Sequence, residues 1–232
     1  MPTTYFPRQS QSSLQGQDTQ SLKAIWQTIN ADSCPHHYNF HLHTICSDGQ
    51  LRPQALINQA LNLQLKGLAI TDHHTVRGYE IAHHYLQSYR DCESIPQLWT
   101  GVEITSILMD TEVHILGYAF NPEHSAIIPY LQGEHPRGSA AAAKNVIQAI
   151  HEAEGLVVLA HPERYRRPAQ ELIPAAVALG IDGVETYYAY KNTIPWRPTP
   201  EKTLQVKALS EQYNLFNTCG TDTHGLNVLQ RV

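Results

Sequence analysis

Short apolar runs alternate with amphipathic stretches along most of the chain, beginning near residue 38. A short apolar run bounded by turn residues is typical of a buried strand. The pattern predicts seven strands, at Tyr38–His43, Gly67–Thr71, Leu98–Ile104, Val113–Phe120, Leu156–Ala160, Gly183–Tyr187 and Asn214–Cys219.

Helical patterns separate most of these strands. In Pro53–Gln64, Leu56, Ala60 and Leu63 fall on one stripe, and a proline suits the first turn of a helix. The same periodicity predicts further helices at Ser21–Asn30, Gly78–Tyr89, Ala140–Glu154, Pro168–Leu179 and Pro200–Gln212.

Strands that alternate with helices predict an α/β fold with right-handed crossovers and a mostly parallel sheet. Seven strands favour a closed or nearly closed barrel, with an open doubly wound sheet as the alternative. Residues 1–36 are predicted to be a polar, partly disordered extension, because their first part is rich in Gln and Ser. Residues 37–232 are predicted to form one domain, since no repeat or linker divides them.

Composition narrows the functional classes. The formal charge of −5 argues against broad adhesion to nucleic acid, although a narrow channel for one strand remains open. An apolar leader and a bilayer-length apolar run are both missing from the sequence, which predicts a cytoplasmic chain with no membrane partner. The four cysteines lack the spacing of a zinc finger and predict no disulfide framework.

The chain contains 14 histidines, an unusual number, and imidazole is a common metal ligand. Many of them lie at the C-terminal ends of predicted strands together with carboxylates. In a parallel barrel these ends form the mouth where active sites are built. The residues placed there are His41, His43, Asp48, Asp72, His73, His74, Glu103, His114, His161, Glu185, Asp222 and His224.

Each short motif alone is weak evidence, but the set predicts a metal centre. Residues i and i+2 of a strand point the same way, so His41 and His43 can reach one ion. Burying so many ionisable groups at one mouth would be costly without cations. Three roles stay open: Asp72 could cap a helix, His74 is undecided, and Glu185 could pair with an Arg or Lys.

The ordered motifs FHLHTICSDG, TDHHT, GVEIT, HILGY, AHPERY and GTDTHG resemble the PHP family, the polymerase and histidinol phosphatase domain. The resemblance implies a distorted (β/α)7 TIM-like barrel with a metal cluster at the C-terminal mouth of the strands. It also implies hydrolysis of phosphate esters with two or three divalent ions, of which Mn, Fe and Zn are candidates and Mg is possible. Carried over by motif position, one ion is held by His41, His43 and Asp222, with Glu103 bridging to a second ion on His114 and His161, and a third takes Asp48, His73 and His224.

No ligand position is missing, which favours an active enzyme. The stand-alone branch of the family includes nucleoside 3′,5′-bisphosphate phosphatases and 5′-to-3′ exonucleases, and implies a small phosphorylated substrate, such as a nucleotide or short oligonucleotide, with no obligate protein partner. The hypothesis is attack on phosphorus by a hydroxide that the ions generate from water. Arg164 is the leading phosphate clamp, Arg137 and Lys191 are weaker candidates, and Asp72 or His74 would orient a ligand or protonate the leaving oxygen.

The chain departs from that branch in three ways. Only 46 residues separate His114 from His161, which is short for a substrate-capping domain. Glu163 stands where Gly is usual, and the chain ends seven residues after Gly225, so a final helix is expected to be missing. Alternatives are a histidinol-phosphate or sugar-phosphate phosphatase, an amidohydrolase-type metal hydrolase, a metal-binding regulatory domain without turnover, and a nucleic-acid module.

Overall fold

The computed structural model describes residues 16–89 and 94–232. The most polar part of the predicted extension, residues 1–15, lies outside these ranges. Helices occur at all six predicted places: α1 Thr19–Trp26, α2 Pro53–Asn62, α3 Arg77–Leu86, α4 Ala143–Glu152, α5 Ala169–Val177 and α6 Pro200–Gln212. The strands are β1 Tyr38–Asn39, β2 Gly67–Ala69, β3 Gln97–Trp99, β4 Gly101–Leu108, β5 Thr111–Tyr118, β6 Leu156–Leu159, β7 Gly183–Tyr187 and β8 Phe216–Cys219.

The α/β class is confirmed, and the strands form two sheets. One sheet has the order β1-β2-β3 and is parallel throughout. The other has the order β4-β5-β6-β7-β8, in which β6, β7 and β8 are parallel. Strand pairing does not close the two sheets into one barrel, although isolated parallel bridges join Leu42 to Thr223 and His73 to Glu103.

The strand β5 runs antiparallel to both of its neighbours, unlike a strand of a regular β/α barrel. It is reached from β4 through a tight turn at Met109 and Asp110, which both have positive φ. Two successive residues with positive φ are the geometry of a two-residue hairpin. The predicted strand Leu98–Ile104 is split between β3 and β4, which belong to different sheets. The strand β4 is followed directly by the hairpin, so the start of β5 lies beside the ends of β4 and β6.

One core cluster collects a side chain from nearly every strand. Ala69 of β2, Trp99 of β3, Val158 of β6 and Tyr187 of β7 belong to it, and all are buried. The helix α1 packs against this cluster through Trp26, whose ring contacts those of Phe40 and Tyr118 edge-on. A further cluster packs α4 and α5 on the outer face of the larger sheet, and a third packs α2 and α3 on the smaller sheet.

A disulfide joins Cys34 to Cys219, contrary to the expectation from cysteine spacing. The two residues are 185 positions apart in the sequence, and their Cα atoms lie 6.0 Å apart. The spacing of cysteines along the chain carries no information about a pair that is brought together only when β8 packs beside the segment preceding β1.

None of the helices within residues 16–89 and 94–232 combines the length and the apolar composition that crossing a bilayer requires.

Candidate metal centre

The carboxylate of Glu103 lies at the centre of a histidine cluster. Its Oε2 is 3.0 Å from Nε2 of His41 and 3.0 Å from Nε2 of His43. Its Oε1 is 2.7 Å from Nδ1 of His114 and 3.2 Å from Nε2 of His161. Each oxygen of one buried carboxylate thus lies within 3.2 Å of two imidazole nitrogens, which is the arrangement expected of a bridging ligand between two cations.

The antiparallel course of β5 explains how His114 reaches this group. Thr105 of β4 pairs directly with His114 of β5, and Glu103 lies two residues before Thr105 on the same face. Diagonal neighbours on one face of an antiparallel pair are within reach of long side chains. A histidine near the start of β5 therefore reaches the same group as a residue at the end of a parallel strand.

The carboxylate of Asp222 divides its two oxygens between the cluster and three anchoring groups. Oδ1 lies 3.4 Å from Nε2 of His41 and 3.3 Å from Nε2 of His43. Oδ2 accepts hydrogen bonds from Tyr188 Oη at 2.6 Å, Arg164 Nη1 at 2.9 Å and Arg231 Nε at 2.8 Å. These anchors fix the side chain so that Oδ1 stays directed toward the two histidines.

A second group of donors lies at the edge of the cluster. Donor atoms of His43, Asp48, His73 and His224 all come within 4.8 Å of one another. His224 Nε2 is 3.2 Å from Asp48 Oδ2, and the Asp48 side chain is 54% exposed. All nine predicted ligand residues are thus brought together by the fold, at positions separated by up to 183 residues in the sequence.

The pKa values in the cluster are determined by burial and by the carboxylates and imidazoles that face one another. Burial alone would raise the pKa of Glu103, but His41 and His114 hold it well below the ordinary range. Burial would lower the pKa of His43, but the adjacent carboxylates of Asp222 and Glu103 raise it to about 9. Burial lowers the pKa of His73 to about 4. The carboxylates are therefore held as anions, and they stabilise positive charge at the nitrogens that face them.

Some buried nitrogens in the cluster lack hydrogen-bond partners within the described part of the chain. They include Nε2 of His43, although two carboxylate oxygens lie within 3.3 Å of it. A buried polar atom without a partner is costly unless something else satisfies it. The mixed imidazole and carboxylate donors suit divalent metal ions, and an ion between these atoms would relieve the cost.

Asp72 organises the loop that carries Asp48 and does not face the cluster. Its carboxylate accepts hydrogen bonds from Thr44 N, Thr44 Oγ1 and Ser47 Oγ, each at 2.7 Å. The side chain is buried, and Gly78 packs against it where a Cβ atom would collide. Both oxygens of Asp72 are thus engaged in holding this loop.

His74 is buried, and its ring lies 6.0 Å from that of His73. Its Nε2 lies 3.2 Å from Thr105 Oγ1, and its ring is 4.7 Å from that of His135. The backbone of His74 has a positive φ of 55°. Burial lowers the pKa of His74 to about 4, so it is a neutral group that is closed to solvent.

Two functional residues escaped the sequence analysis in part or whole. Glu185 accepts hydrogen bonds from His41 Nδ1 and from the backbone N–H of His161, both at 2.9 Å, and so braces two of the predicted ligands. Arg231 anchors Asp222, and no local motif marks it. Glu185 was placed at the correct rim, but its partners could not be identified from the sequence.

Arg137 and Lys191 are both exposed. Arg137 is exposed and lines a surface groove of about 550 Å³ with Tyr130 and Glu152. Lys191 is exposed in the turn after β7. Among the hydrogen bonds and ion pairs of residues 16–89 and 94–232, none links either side chain to a donor of the cluster.

The family of the chain follows from a match to the PHP domain over residues 39–193, about two thirds of its length. The chain therefore belongs to the PHP domain family. It is a PHP-domain member of the metal-dependent phosphoesterase class, and its histidine and carboxylate cluster fits that class.

Curated relatives include the 5′-3′ exoribonuclease Rnm of Escherichia coli, which is 24% identical over 256 aligned residues. The alignment covers 81% of this chain and 85% of the relative. The Rnm of Salmonella typhimurium is 34% identical over 104 residues, 44% of this chain. That match spans only 34% of the relative's length.

Solved structures share the fold. One, assigned as a metal-dependent phosphoesterase from Bifidobacterium adolescentis, has a TM-score of 0.67 at 24% identity, covering 82% of this chain and 89% of its own. Another, an amidohydrolase from Chromobacterium violaceum with bound sulfate, has a TM-score of 0.67 at 19% identity, covering 82% of this chain and 88% of its own.

Proposed function

We propose that the protein hydrolyses phosphate esters of nucleotides or short oligonucleotides at the cluster around Glu103. The observation that carries the proposal is one buried carboxylate facing four histidines from three separate segments of the chain, with Asp222 anchored beside it. A single shared anion of this kind is what two neighbouring cations require. The E. coli relative, which is named for exoribonuclease activity and aligns over most of its length, supports a nucleotide substrate.

Two or three divalent ions are proposed, with Mn, Fe or Zn as candidates and Mg as a further possibility. His41, His43 and Asp222 would hold the first, His114 and His161 the second, and Glu103 would be shared. Asp48, His73 and His224 would hold the third. When bound, such ions supply Lewis acidity and an activated water at neutral pH.

Arg164 and Arg231 supply the positive charge that a phosphate group needs beside this site. Each guanidinium uses one nitrogen on Asp222 Oδ2, and Arg164 Nη1 also donates to Tyr188. The Arg164 side chain is 38% exposed, and within the described residues only its Nη1 forms hydrogen bonds. Its remaining N–H groups are therefore available to bind phosphate oxygens as charge builds on them.

The proposal is tested by a phosphate-release screen on metal-reconstituted protein. The panel includes mononucleotides, 3′,5′-bisphosphates, histidinol phosphate and short 5′-phosphorylated RNA and DNA, with His161→Ala as the inactive control. Turnover of a nucleotide or oligonucleotide that is lost in the control is the expected result. Metal-loaded protein that turns over none of these compounds would contradict the proposal and favour the regulatory alternative.

An amidohydrolase activity is the second candidate, because one structural neighbour is named for it. In this chain the shared ligand position is occupied by the carboxylate of Glu103, whereas amidohydrolases typically use a carboxylated lysine there. We therefore expect simple amides and lactones to be turned over far more slowly than p-nitrophenyl phosphate. The reverse order of rates would support the amidohydrolase.

We assign Asp72 to positioning instead of proton transfer. Because it holds Thr44 and Ser47, Asp72→Asn should loosen the loop that presents Asp48. Removing such an outer partner typically costs about 10–100-fold in metal affinity or activity. We expect the third ion to be lost first while the other two remain, as measured by metal content after dialysis. Asp32→Asn, at an exposed position, is the matched control, and equal metal content in the two variants would refute the assignment.

The two sheets are proposed to be parts of one distorted (β/α)7 barrel. The parallel bridges Leu42–Thr223 and His73–Glu103 lie where the two sheets meet. One buried cluster also receives side chains from strands of both sheets, which is what a barrel interior would require. On this view the cluster around Glu103 lies at the C-terminal mouth of the barrel.

A further inference from the structure

Glu185 contacts two residues that are predicted ligands of different ions, His41 and His161. Its Oε1 accepts from His41 Nδ1 and its Oε2 accepts from the backbone N–H of His161. Glu185 is 1% exposed, and its two partners lie on separate segments, one after β1 and the other after β6. Both of its oxygens are therefore occupied in holding other residues in place.

The two nitrogens of the His41 imidazole face different carboxylates. Nδ1 faces Glu185, while Nε2 faces Glu103 and Asp222. When Nδ1 donates its proton to Glu185, the lone pair of the neutral ring is on Nε2, which is the atom that a cation would use. An ion bound at Nε2 lies across the ring from Glu185, so Glu185 is a partner of the ligand and not a ligand of that ion.

Glu185 also holds the backbone of His161 in place. His161 has a positive φ of 25°, which is uncommon for a residue other than glycine. Its N–H is held by Glu185 from the neighbouring strand β7, where the pairing with β8 is irregular between Glu185 and Tyr187. Irregularities of this kind re-aim side chains near functional sites.

We propose that Glu185 is a positioning residue that couples the first and second ions by holding His41 and His161 together. The inference rests on the proposed function for the identity of the ions, but it concerns how the two sites depend on each other. Loss of Glu185 should weaken both sites at once, whereas Asp72→Asn should weaken only the third.

The test is calorimetric titration of chelator-treated protein with Mn²⁺, comparing the wild type, Glu185→Gln and Glu185→Asp. A glutamine amide would donate to His41 Nδ1 and favour the proton on Nε2, which blocks the ligand atom. We expect Glu185→Gln to bind both ions about 10–100-fold more weakly, as for other outer partners of metal ligands. Glu185→Asp, which keeps the carboxylate, should recover part of the affinity.

Thr186→Val is the matched control in the same strand. Its hydroxyl lies 2.6 Å from Asn217 Oδ1, so this variant also removes a buried hydrogen bond from β7. The metal-free forms of Thr186→Val and Glu185→Gln should unfold at similar temperatures, while only the latter loses metal affinity. Unchanged affinity in Glu185→Gln, or loss of one ion alone, would overturn the coupling. Because binding is measured without turnover, this result is independent of whether the protein hydrolyses any phosphate ester.

Discussion

Glu103→Gln is expected to abolish binding of the first two ions and nearly all turnover. The carboxylate faces nitrogens of His41, His43, His114 and His161, and a neutral amide cannot serve as an anion shared by two cations. Lewis-acid stabilisation by bound ions is worth several kcal/mol, so phosphate release should fall about a thousandfold or more.

Metal content and the rate of phosphate release measure this effect together. Glu112→Gln is a suitable control, because Glu112 belongs to the same hairpin but is exposed. A Glu103→Gln protein that retained its ions and its turnover would show that the carboxylate is not shared.

Gly220→Ala is expected to damage both the fold and the cluster. A Cβ atom at this position would collide with the Cβ of His41 and come within 2.7 Å of its backbone nitrogen. A backbone contact cannot be relieved by rotating a side chain, so the segment carrying His41 would have to move away from β8. Overpacking of this kind costs about 1–3 kcal/mol of unfolding free energy.

Chemical denaturation of the metal-free protein measures the stability loss in Gly220→Ala, and a metal titration measures the damage to the cluster. Gly117→Ala is the comparison, since the nearest atoms to its Cβ would be side-chain atoms of Ile150 and Val102, at 3.1–3.3 Å. We expect the larger loss at Gly220. Equal stability and equal metal binding in both variants would show that Gly220 does not lie this close to the backbone of His41.

The helices and most of the strands were predictable because their periodicity is local, but the division of Leu98–Ile104 between two sheets was not. The stripe that includes Leu56 and Ala60 is buried in α2, and Pro53 and Pro200 begin their helices as a residue without a backbone N–H should. The direction of β5 was not predictable in the same way. Its turn uses Met109 and Asp110, which lack the Asn-Gly or Asp-Gly signal of a two-residue hairpin.

The candidate ligands were found because ligand-type residues recur at strand ends, and the order of the motifs matched a family. What the sequence could not supply is pairing between distant residues. Glu185 and His41 are 144 positions apart, and Arg231 meets Asp222 only where the end of the chain folds back. Asp72 lies in a predicted ligand motif, yet its contacts with Thr44 and Ser47 depend on the conformation of a loop 25–28 residues earlier.

The charge on a side chain likewise does not reveal which group it faces. Arg164 was expected to be free for substrate, but it is also an anchor of Asp222. Arg137 had equal charge and lies instead in a groove beside α4. Local sequence indicates the type of chemistry a residue can perform, whereas its partner is fixed by packing across the whole domain.

Anomalous X-ray scattering from crystals grown with Mn²⁺ tests the central claim most directly. The account predicts two strong peaks on opposite sides of the Glu103 carboxylate, one beside His41 and His43 and one beside His114 and His161. Peaks confined to other parts of the molecule, or an empty cluster at saturating Mn²⁺, would contradict it.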